Sequence, residues 1–213
     1  GAIESVLTCP LQNAANLRQQ MELYVHPSAL QDRGDGSKKR RGRNQALASA
    51  ELRRVFTMFV KPDVDPTLSL DKEKDAALFA LLNDIMNITQ SVVKRFKGHL
   101  RQFIIDDKGV VLILSWGQRG ATYPHLVAEK GLPAAIALQN AFRFDLNIES
   151  RIGATVGPTY CGVLGGNNRH EFTILGSSVN LAARLACSHI NEGILVRSEE
   201  HTSELQSPYV ISY

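Results

Sequence analysis

Between residues 51 and 196, single helical segments alternate with pairs of β-rich segments. RRVFTMFV at 53–60 is typical of a buried strand, and the following DKEKDAALFALLNDIMNITQSVVKRFKG carries apolar residues at helical spacing. HLRQFIIDDKGVVLILSW then predicts two strands joined by a DDKG turn. The complete predicted order is β-α-β-β-α-β-β-α-β. That order favours an α/β (α+β) fold of the ferredoxin-like sandwich type, an antiparallel-rich sheet with helices packed on it.

Glycines and prolines predict where the other elements begin and end. Gly98 is placed to end the first helix, and Pro133 is placed in the first turn of a second helix that runs to Phe142. NIESRIGATVGPTYCGVLGG predicts a second, glycine-punctuated strand pair. SSVNLAARL supplies the last helix, and GILV at 193–196 begins a final strand.

The composition is that of an ordinary soluble globular chain. Of its 213 residues, 44% are hydrophobic and 21% are charged, and the net charge of +3 gives no reason to expect a nucleic-acid partner. No apolar run approaches the roughly 20 residues that span a bilayer, so we expect no transmembrane segment. Cys9, Cys161 and Cys187 are odd in number and lack metal-ligand spacing, which predicts reduced thiols in a cytoplasmic protein.

Both ends of the chain differ from its middle. Residues 1–50 are polar and weakly periodic, which predicts a partly disordered linker or lead-in. Their basic run SKKRRGR is typical of a solvated loop, with a nuclear address or an anionic contact as alternatives. RSEEHTSELQSPYVISY at 197–213 resembles the in-frame translation of a sequencing adapter. We therefore expect native sequence to stop near Val196 and the domain at 51–196 to be truncated at its C-terminus.

FTILGSSVNLAARL at 172–185 holds the clearest candidate site. Asn180 and Arg184 are four positions apart, and residues at i and i+4 lie on one face of a helix. Alanines around them leave space for a bulky ligand to approach. Two parallel polar side chains on a rigid helix predict a binding surface.

The glycine-flanked context of that pair is similar to a known enzyme family. GATVGPTYCGVLGGNNRHEFTILGSSVNLAARL resembles the catalytic core of class III nucleotidyl cyclases, and FKGHLRQFIIDDKGVVLILSWG resembles their central hairpin. The likeness is greatest to the second, C2-type half of soluble, bicarbonate-responsive adenylyl cyclases. It implies that the ribose 3′-hydroxyl of ATP attacks its own α-phosphate, giving cyclic AMP and pyrophosphate. It also implies that Asn180 orients the ribose and that Arg184 stabilises the transition state.

The same resemblance predicts how the base is recognised. Thr173 lies seven residues before Asn180, where the family places a base-recognising side chain, although a strand hydroxyl can also pair locally. The family's partner for that side chain is a lysine, and this chain has Gln102 there, with Arg101 beside it. We take these three residues as substrate-binding candidates. The missing lysine charge leaves the choice of base open.

The metal site of the family is incomplete in this chain. The resemblance implies two divalent cations, Mg²⁺ or Mn²⁺, held by a pair of aspartates. At the first aspartate position this chain has Lys61, whose charge repels a metal. Asp63 and Asp65 lie beside prolines, and Asp106 and Asp107 lie in the DDKG turn, where turn chemistry explains them. We predict no metal site from this chain alone, with the cations held mainly by a complementary half, encoded upstream or on another chain.

Three functions remain open on these residues. The leading hypothesis is the second half of an adenylyl cyclase, active only in a pseudo-heterodimer with a complementary half. A catalytically degenerate regulatory or nucleotide-binding domain is the alternative that Lys61 and Gln102 favour and that the Asn180/Arg184 pair disfavours. A guanylyl cyclase is the weakest, since Gln102 and Thr173 do not form the usual guanine-selecting set.

Overall fold

The computed structural model describes residues 19, 51–107, 109–118, 124–165, 170–198 and 209–211, with 124–128, 170, 198 and 209–211 described by their backbone alone. The chain divides into two compact units, Gly1–Glu51 with Gly162–Thr173 and Leu52–Cys161 with Ile174–Tyr213. Apart from Gln19, the described helical residues all belong to the second unit. The predictions for the linker at 1–50, its basic run and Cys9 concern residues that, apart from Gln19, lie outside the described ranges.

The order of the elements confirms the predicted fold. In chain order the described elements are β1 (Glu51–Pro62), α1 (Lys72–Arg95), β2 (His99–Asp106), β3 (Gly109–Trp116), α2 (Pro124–Asp145), β4 (Ser150–Gly165), β5 (His170–Leu175), α3 (Ser177–Ala186), β6 (Ile194–Ser198) and β7 (Tyr209–Ile211). The strands lie in the order β2-β3-β1-β4-β6-β7, and β5 pairs with β4. Strand β3 runs antiparallel to β1 and β2, and β6 runs parallel to β4 and antiparallel to β7. The first four strands thus form a ferredoxin-like sheet that β6 and β7 extend.

The hydrophobic core lies between the sheet and helices α1 and α2. Alternate residues of β1 point into it, because side chains on a strand alternate between faces. Phe56 packs edge-to-face on Trp116 of β3, with ring centroids 5.7 Å apart. The buried residues that form this core are Phe56, Met58, Val60, Ile85, Val93, Leu112, Leu114, Trp116, Ala134, Ala135, Leu138, Phe142, Ile148, Ile152, Ala154, Val156 and Ile194.

Helix α1 is amphipathic and buries one side against this core. By length and composition alone it is apolar enough to cross a membrane. Its buried residues are Leu82, Ile85, Thr89 and Val93, three or four positions apart as a packed helix requires. The helix thus packs against the core along one side.

The end of α1 shows why Gly98 is a glycine. The left-handed residue that ends the helix is Lys97, at φ 56. The N–H of Gly98 donates to the carbonyl oxygen of Val93 at 2.9 Å, and that of Lys97 donates to Lys94 at 3.3 Å, which is the Schellman arrangement. A Cβ at Gly98 would overlap the Trp116 ring. The sequence predicted the end of the helix correctly. The reason for the glycine is different, however, because it leaves space for the Trp116 ring.

The predicted start of the second helix is wrong. Helix α2 begins at Pro124, and Pro133 lies inside it. A proline within a helix removes one N–H and leaves the carbonyl four residues earlier without its helical partner. Here Glu129 and Pro133 are both exposed, so water can bond that carbonyl. The helix therefore continues through the proline.

The predicted strand pair in residues 147–166 is also wrong. These residues contribute one long strand, β4, and its hairpin partner β5 comes from the following HEFTIL. Gly153 and Gly157 lie inside β4 and do not mark turns. Strand β6 continues to Ser198, past the predicted 193–196, and β7 follows it. The domain boundaries and the origin of residues 197–213 stay predictions.

Candidate functional site

The two residues predicted to be catalytic lie exposed on α3. Asn180 and Arg184 are one helical turn apart and therefore on one face. The opposite side of the helix is buried through Ser178, Ala182, Leu185 and Ala186. The structure thus brings the predicted amide and guanidinium together on one surface, which we call the α3 surface (Asn180 and Arg184).

A glycine in β4 allows α3 to approach the sheet backbone to backbone. A Cβ at Gly153 would lie 2.8 Å from the carbonyl carbon of Leu185 and would overlap backbone atoms of Ala182 and Ala186. Real Cβ atoms do not come so close to backbone, so any larger residue would move the helix away from the strand. Gly153 therefore sets the distance between α3 and β4.

Buried hydroxyl groups join the first turn of α3 to β4. Thr155 Oγ1 donates to the carbonyl oxygen of Ser178 at 2.8 Å. The Ser178 hydroxyl lies 2.9 Å from Thr159 Oγ1 and donates to the carbonyl oxygen of Pro158 at 3.3 Å. All three hydroxyl residues are fully buried. Because buried polar groups are stable only when they are paired, this network holds the start of α3 in one position.

Asn191 joins the last turn of α3 to the two strands beneath it. Its side chain is only 3% exposed. Nδ2 donates to the carbonyl oxygens of Leu185 at 2.9 Å and Ile152 at 3.0 Å, and Oδ1 accepts from the N–H of Gly193 at 2.9 Å. Leu185 is in α3, Ile152 is in β4, and Gly193 directly precedes β6. One buried amide therefore connects three elements.

A β-bulge marks the predicted base-binding position in β2. Leu100 pairs with Leu114 and Gln102 pairs with Ile113, so the register shifts between them and Arg101 is the extra residue. Gln102 is exposed and Arg101 is half-buried. Bulges redirect side chains and occur often beside active sites. Both candidates in β2 thus lie at the register shift of the described β2–β3 hairpin.

The third base-binding candidate, Thr173, lies on β5 and is half-buried. It belongs to the unit that contains Gly162–Thr173, whereas α3 and β2 belong to the other. Its role beside Gln102 and Asn180 therefore stays a prediction.

The end of β1 carries a lysine beside the β2–β3 turn. A Cβ at Gly109 would lie 3.8 Å from Lys61 Cε, and Gly109 pairs with Asp106 across the hairpin. Asp106 and Asp107 are exposed. We call this region the hairpin end (Lys61, Asp106 and Asp107). A cationic side chain lies there at the position where the family resemblance expects a metal-binding carboxylate.

Of the two aspartates that follow β1, Asp65 binds the local backbone with its carboxylate. The N–H of Asp63 donates to the carbonyl oxygen of Glu149 at 2.8 Å, and Asp65 Oδ1 accepts from the N–H of Thr67 at 3.0 Å. Hydrogen bonds from the Thr67 hydroxyl and backbone N–H lower the pKa of the exposed Asp65 carboxyl. In the described part of the chain, no three His, Cys, Asp or Glu residues come together as a metal site would require. The described residues at the hairpin end therefore do not fit a divalent cation.

Sequence reasoning missed the residues that hold α3 in place. Gly153, Thr155, Thr159 and Asn191 carry no catalytic pattern, and the contacts that fix α3 to β4 join residues far apart along the chain. Thr155 binds Ser178 over 23 positions, and Asn191 binds Ile152 over 39. The only local signal was Ser178, a hydroxyl residue at a helix start.

Comparison with known proteins identifies the family of this domain. Residues 63–210 match the family described as the adenylate and guanylate cyclase catalytic domain. The chain is 29% identical over 183 residues to adenylate cyclase type 10 of Oryctolagus cuniculus. It is 30% identical over 186 residues to adenylate cyclase type 10 of Rattus norvegicus. Each alignment covers 84% of this chain and 10% of the relative, so the chain spans a small part of these proteins.

Solved structures share the fold at low sequence identity. A bacterial light-regulated adenylyl cyclase superposes with a TM-score of 0.65 at 16% identity, covering 92% of this chain and 55% of that chain. The adenylyl cyclase CyaB from P. aeruginosa superposes with a TM-score of 0.57 at 21% identity, covering 69% of this chain and 78% of that chain. With its sequence match over most of the domain and this shared fold, the chain belongs to the family of class III adenylate and guanylate cyclase catalytic domains.

Proposed function

We propose that this chain is the second half of an adenylyl cyclase, which converts ATP to cyclic AMP and pyrophosphate at a site shared with a metal-bearing half. One observation carries the proposal: Asn180 and Arg184 are exposed together on a helix whose other side is fixed to β4. The similarity to adenylate cyclases of type 10 supports ATP as the substrate.

Asn180 orients the ribose in this proposal. A carboxamide both donates and accepts hydrogen bonds, so it can hold a ribose oxygen while the 3′-hydroxyl faces the α-phosphate. In-line attack requires the reacting atoms to be aligned before reaction, and a misplacement of about 1 Å can lower the rate about 100-fold. A rigid helix is a suitable support for that task.

Arg184 stabilises the charge that develops during transfer. The guanidinium is always charged and presents a planar set of donors that fits phosphate oxygens. Its charge is aimed at the transferring phosphoryl group, where fixed donors contribute most to catalysis. Its exposure on the α3 surface leaves it accessible to a nucleotide held between two halves.

Thr173, Gln102 and Arg101 bind the base in this proposal. The Gln102 amide is exposed beside the bulge, and it can donate and accept on the edge of a purine without contributing charge. Because an amide can present either order of donor and acceptor, Gln102 alone does not separate adenine from guanine.

The divalent cations come from the complementary half. Carboxylates of that half would hold Mg²⁺ or Mn²⁺, which would supply positive charge to the triphosphate and the 3′-hydroxyl. Lys61 makes the hairpin end of this chain unsuited to the same task. The proposed half-domain spans 51–196. Cys161 and Cys187 are not joined in a disulfide in the described residues, which favours the cytoplasm as its compartment.

A second candidate function is a regulatory or nucleotide-binding domain without catalysis. The observation that favours it is Lys61 beside Gly109 and Asp106, because a half that has lost its metal site can also have lost its reaction. A guanylyl cyclase is the further alternative, since Gln102 replaces the lysine expected for an adenine site.

The test is the substitution Arg184→Ala in the complete protein, assayed with ATP and GTP in the presence of Mn²⁺. We expect the rate of cyclic AMP formation to fall about 1,000-fold, since one fixed charge at the transition state is removed. Arg143→Ala is the matched control, because Arg143 is an exposed arginine that forms only a surface ion pair with Glu149. Unchanged cyclic AMP formation in folded Arg184→Ala protein would favour the regulatory domain, and product from GTP alone would favour the guanylyl cyclase.

A further inference from the structure

The contacts of Asn191 lie directly beside the proposed catalytic arginine. Arg184 is in the last turn of α3, and the carbonyl of the next residue, Leu185, accepts the 2.9 Å hydrogen bond from Asn191 Nδ2. The same nitrogen donates to Ile152 in β4. Asn191 thus connects the backbone beneath Arg184 to the sheet.

The last turn of α3 needs such a connection. Helix α3 has 10 residues, and isolated helices of that length are marginal in water. The last carbonyls of any helix lack helical partners. Here the N–H of Cys187 donates to Ala183 at 3.1 Å and that of Ser188 donates to Leu185 at 3.3 Å. Asn191 adds the side-chain hydrogen bond that joins this turn to β4.

Only an amide of this length satisfies all the partners. The site requires two N–H donors for Leu185 and Ile152 and one acceptor for the N–H of Gly193. Asparagine supplies these groups in one planar unit, whereas aspartate has no donor when ionised and serine has a single O–H. Asn191 is buried, so water cannot replace a lost partner without cost.

We propose that Asn191 is a positioning residue that holds the last turn of α3 in the orientation in which Arg184 meets the transferring phosphoryl group. This inference rests on the proposed function. Asn191 acts through Arg184 and does not touch the substrate, so its loss lowers kcat and leaves KM nearly unchanged, since Arg184 acts in the transition state.

The experiment compares Asn191→Asp with the native residue in the complete protein. The aspartate keeps the shape of the side chain and the oxygen that accepts from Gly193. It places a second oxygen where Nδ2 donated to the carbonyl oxygens of Leu185 and Ile152. We expect kcat to fall about 100-fold, as for a misplacement of about 1 Å, with little change in KM. Burial and the two carbonyls raise the pKa of the new carboxyl, so protonation restores one donor and the ratio of variant to native kcat rises as pH falls. Asn83→Asp, on the exposed side of α1, is the matched control and should leave kcat unchanged.

A double-mutant cycle separates positioning from a general structural role. If Asn191 acts through Arg184, Asn191→Asp causes little further loss of kcat in the Arg184→Ala background. Amide hydrogen exchange in residues 183–187 should also be faster in Asn191→Asp, a readout that does not depend on activity. The milder Asn191→Ser is measured in the same way, so the test stands if the aspartate variant does not fold.

The outcomes distinguish this inference from the proposed function. Native kcat in a folded Asn191 variant, while Arg184→Ala is inactive, would overturn the positioning role alone. An equal further loss in both backgrounds would also overturn it, since the effect would then not pass through Arg184. Full activity of Arg184→Ala would overturn the proposed function itself.

Discussion

The α3 surface and the hairpin end belong to the same sheet-based unit but differ in what supports them. Asn180 and Arg184 lie on a helix that Gly153 brings onto β4 and that buried hydrogen bonds hold at both ends. At the hairpin end, a lysine lies near exposed aspartates in a turn. One region is built to hold two polar groups in fixed positions, and the other has no fixed set of metal ligands in the described residues.

The two regions differ in how precisely their side chains are held. Buried polar networks stabilise a structure only if every member is paired, so a complete network around α3 indicates that the position of that helix matters. A turn with exposed carboxylates requires no such precision. The contrast is what a half-site should show when its partner contributes the metal.

The largest effect expected on this comparison is that of Gly153→Ala. A methyl group there would overlap backbone atoms of α3, which cannot move aside as a flexible side chain can. We expect a loss of about 3 kcal/mol in the free energy of unfolding, measured by urea denaturation, at the upper range for overpacking. Gly193→Ala is the matched control, since its Cβ would meet mainly the flexible Gln139 side chain. If both changes lower the free energy of unfolding equally, the close contact between Gly153 and α3 has no special role in stability.

The next prediction addresses the hairpin end through Lys61→Asp. The change removes a positive charge and adds a third carboxylate near Asp106 and Asp107, so Mn²⁺ should raise the Tm of the variant. At tenfold excess over its Kd, a bound ion stabilises the folded state by about 1.4 kcal/mol. Lys61→Asn, which removes the charge without adding a ligand, should show no such shift. A rise in the Tm of the native chain with Mn²⁺ would contradict the comparison, because the hairpin end would then already bind metal.

The smallest effect is expected at the hydroxyl network. Thr155→Val removes the 2.8 Å hydrogen bond to the carbonyl of Ser178 and should lower the free energy of unfolding by about 1 kcal/mol. Thr57 is equally buried, at 0% exposure, yet its Oγ1 has no hydrogen-bond partner within the described residues. Thr57→Val should therefore be neutral or stabilising. If both changes destabilise equally in thermal melts, the network around Ser178 has no particular role.

The sequence predicted those features that depend on local periodicity. The order of the elements from β1 to β3, the hairpin at DDKG and the shared face of Asn180 and Arg184 all follow from spacing over a few residues, and the structure confirms them. The start of α2 was missed because a proline on an exposed helix face costs less than the general rule implies. The single strand β4 was missed because Gly153 serves a long-range contact and not a turn.

The support of the site could not be predicted from one sequence. Asn191 and Ile152 are 39 positions apart, and nothing in the intervening residues indicates that they meet. A buried asparagine and an exposed one look alike in sequence. Only the buried one costs its desolvation free energy if its hydrogen-bond partners are lost. Contacts of this kind depend on the completed fold.

The most direct measurement is a cyclase assay of this chain alone and after mixing with a metal-bearing first half of a soluble adenylyl cyclase, with ATP and Mn²⁺. We expect no cyclic AMP from the chain alone, because a homodimer would contain two α3 surfaces and no metal ligands. We expect cyclic AMP from the mixture, and its loss when the chain carries Arg184→Ala. Cyclic AMP from the chain alone, formed at a rate that Arg184→Ala abolishes, would contradict the division of the active site between two halves.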